Sequence, residues 1–270
     1  MMENASIALI GGTGFYRFLD DSTDVEVDTP YGKPSAPISI AEVAGRRVAF
    51  LPRHGRNHDF LPSELPYRAN LWALKQLGVR QVVAFNTVGS LQREYRKGDF
   101  VLVDQFVDRT WGRPDSYFSG GDTSAHISSA YPYCERMRGL AYETLTGLGT
   151  RVHRNGTVVV IQGPRFSTAA ESKWFSGQGW HLVNMTQFPE VVLARELELC
   201  YSNVSYITDY DVAAKEVAGD EESDVVSHAG VLKAFNANSE HVLDMVRGLV
   251  GALPEDVDCA CRHALDGAIV

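Results

Sequence analysis

Much of what would mark a familiar class of protein is scarce in this chain of 270 residues. No stretch approaches about 18 uninterrupted apolar residues, so no membrane-crossing helix is expected. The first residues, Met1 to Ser6, hold neither a basic region nor a long apolar run, which argues against a signal peptide. Lys and Arg number 25 against 34 Asp and Glu, a net charge of −9, and no basic cluster stands out. Binding to a nucleic-acid backbone is therefore not expected. Only 4 cysteines occur, Cys134, Cys200, Cys259 and Cys261, too few for a disulfide scaffold and without zinc-ligand spacing. The tail pair Cys259-Ala260-Cys261 reads as a strained, reducible disulfide or as two free thiols, the commoner state in a reducing cytosol. A G-x-G-x-x-G dinucleotide fingerprint, a G-x-S-x-G nucleophile turn and a lysine-bearing phosphate loop are all missing. No repeat or low-complexity linker divides the chain. The class left is a cytoplasmic enzyme of one domain over residues 1–270, with 252–270 as a C-terminal tail.

What is there is a large apolar stock, 44% hydrophobic and 10% aromatic, ample for a sizeable core. Short buried strands are expected at 6–10, 25–27, 38–44, 47–51, 81–85, 100–107, 152–161 and 203–211. Helices are expected at 66–77, 135–148, 169–175, 191–201 and 226–250. An irregular loop fills 108–130, and the acidic, aperiodic stretch 212–224 reads as a lid. Strands alternating with helices indicate an α/β fold, a mixed sheet flanked by helices.

In such sheets ligands bind at the carboxyl ends of strands, and polar groups gather at those ends here. Gly11-Gly12-Thr13-Gly14 follows the first strand and offers an anion nest, or else a plain glycine turn. Arg53-His54 follows a buried strand, where a cation is costly without an anionic partner, and phosphate is the obvious one. Asn86-Thr87-Val88-Gly89-Ser90 is another polar strand end. Phe166 is core packing or a platform for a planar ring. Asn184-Met185-Thr186 precedes a helix with Pro189 in its first turn, and Asp209 and Asp211 end the next strand. His58 reads as a surface residue. Two anion-binding loops, hydroxyl and amide donors, an aromatic and a carboxylate pair suit a reaction in which free phosphate is itself a reactant.

Five of these motifs in order, Gly11-Gly12-Thr13-Gly14, Arg53-His54-Gly55, Gly163-Pro164-Arg165-Phe166-Ser167, Asn184-Met185-Thr186 with Pro189-Glu190, and Thr208-Asp209-Tyr210-Asp211, resemble the methylthioadenosine phosphorylases of the trimeric purine nucleoside phosphorylase group. The resemblance runs from Ile7 into the last helix. It implies phosphorolysis of an N-glycosidic bond, with inorganic phosphate as co-substrate and no other cofactor or metal. Thr13, Arg53, His54, Asn86, Thr87 and Thr186 would hold phosphate. Met185 would pack under the ribose, Phe166 and Asn184 would line the base site, and Asp209, the catalytic residue, would address the purine edge beside Asp211. His228, with Val231 and Leu232, falls where such enzymes meet the 5′ group, though His228 also reads as a solvated first-turn residue. His126 looks like the residue contributed across a trimer or hexamer interface.

The substrate inferred by resemblance is a 6-aminopurine nucleoside, methylthioadenosine or adenosine. Asp209 stands where 6-oxopurine enzymes carry Asn, and Ser167 where they carry Glu. Asn86 and His228 instead resemble the 6-oxopurine branch, so an inosine or guanosine phosphorylase is the alternative, ahead of a nucleoside hydrolase or a non-catalytic binding protein. Cys259-Ala260-Cys261 resembles the C-terminal C-x-C of some hexameric thermophilic members, which carry a further cysteine where this chain has Arg262.

Overall fold

The alternation Ile7-Ala8-Leu9-Ile10 sets the architecture. In strand β1 (Ile7–Gly11), Ile7 and Leu9 join one buried cluster while Ala8 and Ile10 join another on the opposite face, as the two-residue period of a strand requires. A strand covered on both faces belongs inside an α/β sheet. The computed structural model, which describes residues 4–12, 22–118, 123–218, 239–255 and 258–270, has that form. Eleven strands form one mixed sheet: β1, β2 (Thr23–Val25), β3 (Ile38–Val43), β4 (Arg46–Pro52), β5 (Gln81–Ser90), β6 (Phe100–Leu102), β7 (Gln105–Arg109), β8 (Val152–His153), β9 (Thr157–Ile161), β10 (Leu182–Asn184) and β11 (Cys200–Tyr210).

Helices α1 (Tyr67–Gln76) and α4 (Gln187–Glu196) cover one face through Leu71, Leu74, Val191 and Leu193. On the other face lie α2 (Glu135–Gly147) and α6 (Ser239–Ala252), through Met137, Leu145, Val242, Met245 and Leu249. Helix α3 (Ala169–Gly177) starts at a capping box in which Thr168 and Glu171 satisfy each other's backbone N–H groups. It packs on α5 (Val212–Ala218).

A gap in this sheet creates the site. β1 runs parallel to β5 and pairs with it from Ile7↔Gln81 to Ile10↔Ala84. β10 enters on that same side of β5 from the other direction, pairing Leu182 with Ser90 and Val183 with Gly89. The carboxyl ends of β1 and β10 thus face each other across Phe85, Asn86, Thr87 and Val88, which have no strand on that side among the described residues. On the other side β11 pairs with β5 without a break from Cys200↔Gln81 to Ile207↔Val88. Two strands that point at each other deliver polar carboxyl ends to one place, the switch-point geometry of ligand sites in α/β folds.

The same fork corrects two expected strands. The segments 100–107 and 152–161 are each two strands, because the chain changes partners partway along. β6 pairs with β11 and carries β8 at its far side, whereas β9 pairs with β10 and carries β7. The break is fixed by the Asp104 carboxylate, which accepts from Gly156 N–H at 2.8 Å. β5 extends to Ser90 rather than stopping at Phe85, since β11 supplies a partner along its whole length. The helix expected over 191–201 is α4, which starts earlier and ends before Glu198, a residue at positive φ. The stretch 212–224 is not irregular throughout, because α5 occupies its first seven residues. Of the helix expected over 226–250, α6 is the described part.

The cysteines form no ligand set by chain spacing, yet the fold gathers all four, with their sulfurs within 4.8 Å of one another. They come from four separate places: the start of β11, the residue before α2, and two positions of the tail around a 3₁₀ turn, Ala260–His263.

Candidate active site

The gap over β5 is the mouth of a cavity of about 390 Å³. β5 lays its floor with Phe85, Asn86, Thr87, Val88 and Gly89, and β1 reaches it with Gly12. β4 ends there with Arg53 and His54, anchored where Arg53 N–H donates to the Gly11 carbonyl at 2.8 Å. From the facing side come Asn184, Met185 and Thr186 after β10, and Ile161, Pro164, Phe166 and Ser167 after β9. β11 contributes Thr208, Asp209 and Asp211. Nearly every polar strand end singled out in the sequence meets at one cavity.

One polar cluster in it is closed on itself. Arg53 is buried, and its guanidinium donates to both Glu190 oxygens at 2.7 and 2.9 Å and to the Phe85 carbonyl at 2.9 Å. Tyr201 donates to the same carboxylate at 2.7 Å. The inference that Arg53 needs an external anion is corrected by this pair, since Glu190 already supplies a bidentate partner. Burial works against the Arg53 charge, but the Glu190 carboxylate outweighs it and keeps the guanidinium cationic. Beside the pair, Asn86 donates to Thr186 Oγ1 at 2.7 Å and accepts from Asn203 at 2.6 Å. Gln187 then donates to Asn203 at 3.1 Å and Ser205 at 3.2 Å. This lattice fixes Asn86 and Thr186 at the cavity wall. His54 holds its Nδ1 2.9 Å from the Phe60 carbonyl, so that nitrogen carries the proton.

A second cluster is left open. The side-chain oxygen and nitrogen of Asn184 are both buried and have no hydrogen-bond partner among the described residues. Such groups are costly unless a ligand completes them. A β-bulge between Ile207 and Asp209 turns the end of β11. Thr208 donates to Asp209 Oδ1 at 2.7 Å. Burial pushes the Asp209 carboxyl up to about 6, with the Thr208 hydroxyl opposing and the neighbouring Asp211 adding to the rise. Burial raises Asp211 as well, against the pull of Val212 N–H and the Ser167 and Ser172 hydroxyls. A Cβ on Gly89 would stand 3.2 Å from Asp209 Oδ2 and 3.1 Å from Val183, so glycine is what lets the carboxylate lie against β5. Gly163, at φ +66, likewise makes room for Met185, whose sulfur would be 2.7 Å from an added Cβ. Phe166 is 43% exposed at the rim, a ring face available for stacking rather than core packing.

Some placements differ from the sequence reading. His58 is not a bare surface residue: it lines the cavity and stacks on His54 with centroids 4.4 Å apart. His126, expected to serve a neighbour's site rather than its own, is exposed, and its N–H donates to the tail carbonyl of Ala268 at 2.9 Å. Thr13, His228, Val231 and Leu232 lie outside the described residues. Sequence reasoning missed Arg113, which ties the 108–118 loop to the carbonyls of Met185, Phe188 and Gln162 at 2.6–2.9 Å. It also missed the Gln187–Asn203–Ser205 lattice. The available signal was three polar residues, Ser202, Asn203 and Ser205, inside an otherwise apolar strand.

Comparison with known proteins accords with this arrangement. Residues 6–250 match the family described as the phosphorylase superfamily. The chain is 48% identical to a purine nucleoside phosphorylase of Streptomyces coelicolor, over 97% of this chain and 95% of that one. It is 47% identical to an S-methyl-5′-thioadenosine phosphorylase of Thermococcus kodakarensis, over 96% and 97% of the two chains. Among solved structures, methylthioadenosine phosphorylase from Schistosoma mansoni in complex with adenine superposes with a TM-score of 0.86 at 34% identity, covering 93% of each chain. The chain belongs to the phosphorylase superfamily, and it is a pentosyltransferase of the kind that acts on nucleoside and phosphate.

Proposed function

We propose that this enzyme cleaves 6-aminopurine nucleosides, methylthioadenosine and adenosine, with inorganic phosphate as co-substrate and no other cofactor. The observation that carries the reading is Asp209: a half-buried residue whose carboxyl desolvation raises to about 6, in the same cavity as an Asn184 whose amide has no protein partner among the described residues. A phosphate oxygen forms the new bond to C1′ as the C1′–N bond breaks, and the bonding pair leaves with the purine. Asp209 gives its proton to a purine ring nitrogen, or bonds to the N–H formed there, and neutralises that charge. Met185 underlies the ribose and Phe166 stacks on the base.

His54, Asn86, Thr87 and Thr186, with Thr13, take the phosphate and hold it against the cationic sugar. Arg53 keeps its place in that set, but Glu190 absorbs most of its charge, so it orients the group more than it attracts it. Free adenine and a ribose 1-phosphate leave. His228, Val231 and Leu232 meet the 5′ group. The working unit is a cytoplasmic homo-trimer or hexamer to which His126 is contributed from a neighbour. Among the described residues no helix is long and apolar enough to cross a membrane.

A 6-oxopurine preference is the second reading, and Asn86, which resembles the Asn of that branch, favours it. Purine release assayed with and without phosphate over adenosine, methylthioadenosine and inosine decides between them. We expect strict phosphate dependence and adenosine or methylthioadenosine ahead of inosine. Inosine ahead of both would overturn the Asp209 argument.

A further inference from the structure

At the opposite end of β11 from Asp209 lies a group of side chains that the nucleoside reaction does not use. Cys200 opens the strand, and Cys134 is the N-cap of α2, tied to β11 where its N–H donates to the Tyr201 carbonyl at 2.8 Å. Cys259 caps the 3₁₀ turn of the tail and Cys261 lies within that turn. All four are free thiols; Cys134, Cys200 and Cys261 are buried and Cys259 is half-buried. The Cys200 and Cys259 sulfurs are 3.0 Å apart, and all four lie within 4.8 Å of one another. Zinc–sulfur bonds of about 2.3 Å in a tetrahedron separate the sulfurs by roughly 3.8 Å, between those two limits.

We propose that Cys134, Cys200, Cys259 and Cys261 form a closed four-thiolate site for a zinc ion, which clamps the C-terminal tail to the base of the sheet. Four sulfur ligands with no open position make a structural site rather than a catalytic one, and soft thiolates in a tetrahedron select zinc among the common divalent ions. Each thiol that binds gives up its proton to solvent. A tetrathiolate zinc centre carries a net charge of −2, and the surroundings are built to meet it. Arg136, two residues after Cys134, donates through Nη2 to Gln81 at 2.8 Å. Its guanidinium otherwise faces the sulfurs, with a side-chain hydrogen bond to Cys200 and with Cys134 and Cys259 close enough to favour its charge. A cation held against sulfurs at the start of a helix favours thiolate over thiol. The clamp also has something to hold: Ala125 and Ile269 form a β-bridge and Ser124 pairs with Val270, so the fixed tail in turn fixes the loop that carries His126.

The test is metal content of the full-length protein expressed with zinc and purified under reducing conditions, in wild type and in Cys259→Ser/Cys261→Ser. Both substitutions are in the tail, outside the sheet. We expect one zinc per chain in wild type and at least a tenfold loss in the double variant. Bound zinc should shield the thiols from alkylation. Cobalt(II) should give the visible spectrum of tetrahedral thiolate coordination, and chelation should lower Tm. Four thiols that alkylate at the same rate with and without added zinc would overturn the proposal. So would a cobalt spectrum lacking thiolate charge transfer, or disulfide-linked cysteine peptides in protein kept reduced throughout.

Discussion

β11 begins with Cys200 among three other thiols and ends with Asp209 and Asp211 beside an open cavity. The nine residue steps from Cys200 to Asp209 span roughly 30 Å of extended chain. At the first end every group faces another part of the protein: α2, the tail and Arg136. At the second end the protein leaves donors and acceptors unmet, as at Asn184, and raises a carboxyl that it could have kept exposed. One strand thus carries closure at its amino end, where satisfaction stabilises, and readiness at its carboxyl end, where incompleteness binds. The contrast predicts that changes at the first end act chiefly on Tm, and that changes at the second lower the rate without lowering Tm.

The sharpest test is Asp209→Asn, which should lower kcat/KM for adenosine by about 10²–10⁴-fold, the usual worth of a positioned acid. The same substitution should not cost stability. Burial holds the Asp209 carboxyl up at about 6 against an ordinary value of 3.8, so the native state keeps a proton that the unfolded chain loses between those values. That penalty is absent below about pH 4, grows up to pH 6 and is full above it. Asp209→Asn should therefore raise Tm relative to wild type at pH 8 and not at pH 3.5; a fall in Tm at pH 8 would break the comparison.

Glu190→Gln comes next and should blur the contrast, since Glu190 lies between the two ends and serves stability. It leaves Arg53 buried without its carboxylate, which costs about 3–5 kcal/mol of folding free energy. Urea unfolding measures it; a loss under 1 kcal/mol would mean that Arg53 finds another anion. For the pH profile, protonated Asp209 is the form that donates, so kcat/KM should decline as pH rises through about 6, and the decline should vanish in Asp209→Asn. The smallest expected effect is Phe166→Ala. Stacking of a base on an aromatic ring is worth roughly 1–3 kcal/mol, so KM should rise about tenfold with Tm unmoved; an unchanged KM removes Phe166 from the base site.

Much of the cavity was legible because its residues follow strands as polar interruptions of apolar runs, and each such interruption is visible locally. Arg53-His54, Asn184-Met185-Thr186 and Thr208 to Asp211 are of that kind, and the fold brings them to one place. The anion that satisfies Arg53 was not legible, because Glu190 is 137 residues away in sequence. Neither was the division of 100–107 and 152–161 into two strands each, since both parts are apolar and only a change of partner separates them. His58 read as surface because a stacking partner leaves no local trace.

By itself the sequence determined the α/β class, the strands and helices within a few residues, and the polar strand ends, because hydrophobic period and turn chemistry act over a few residues. Only the tertiary structure decided that β1 and β10 face each other across β5, that Glu190 rather than an external anion neutralises Arg53, and that four scattered cysteines converge. Each of these is a contact between distant segments, set by how strands pair and which faces bury, and chain spacing does not record that.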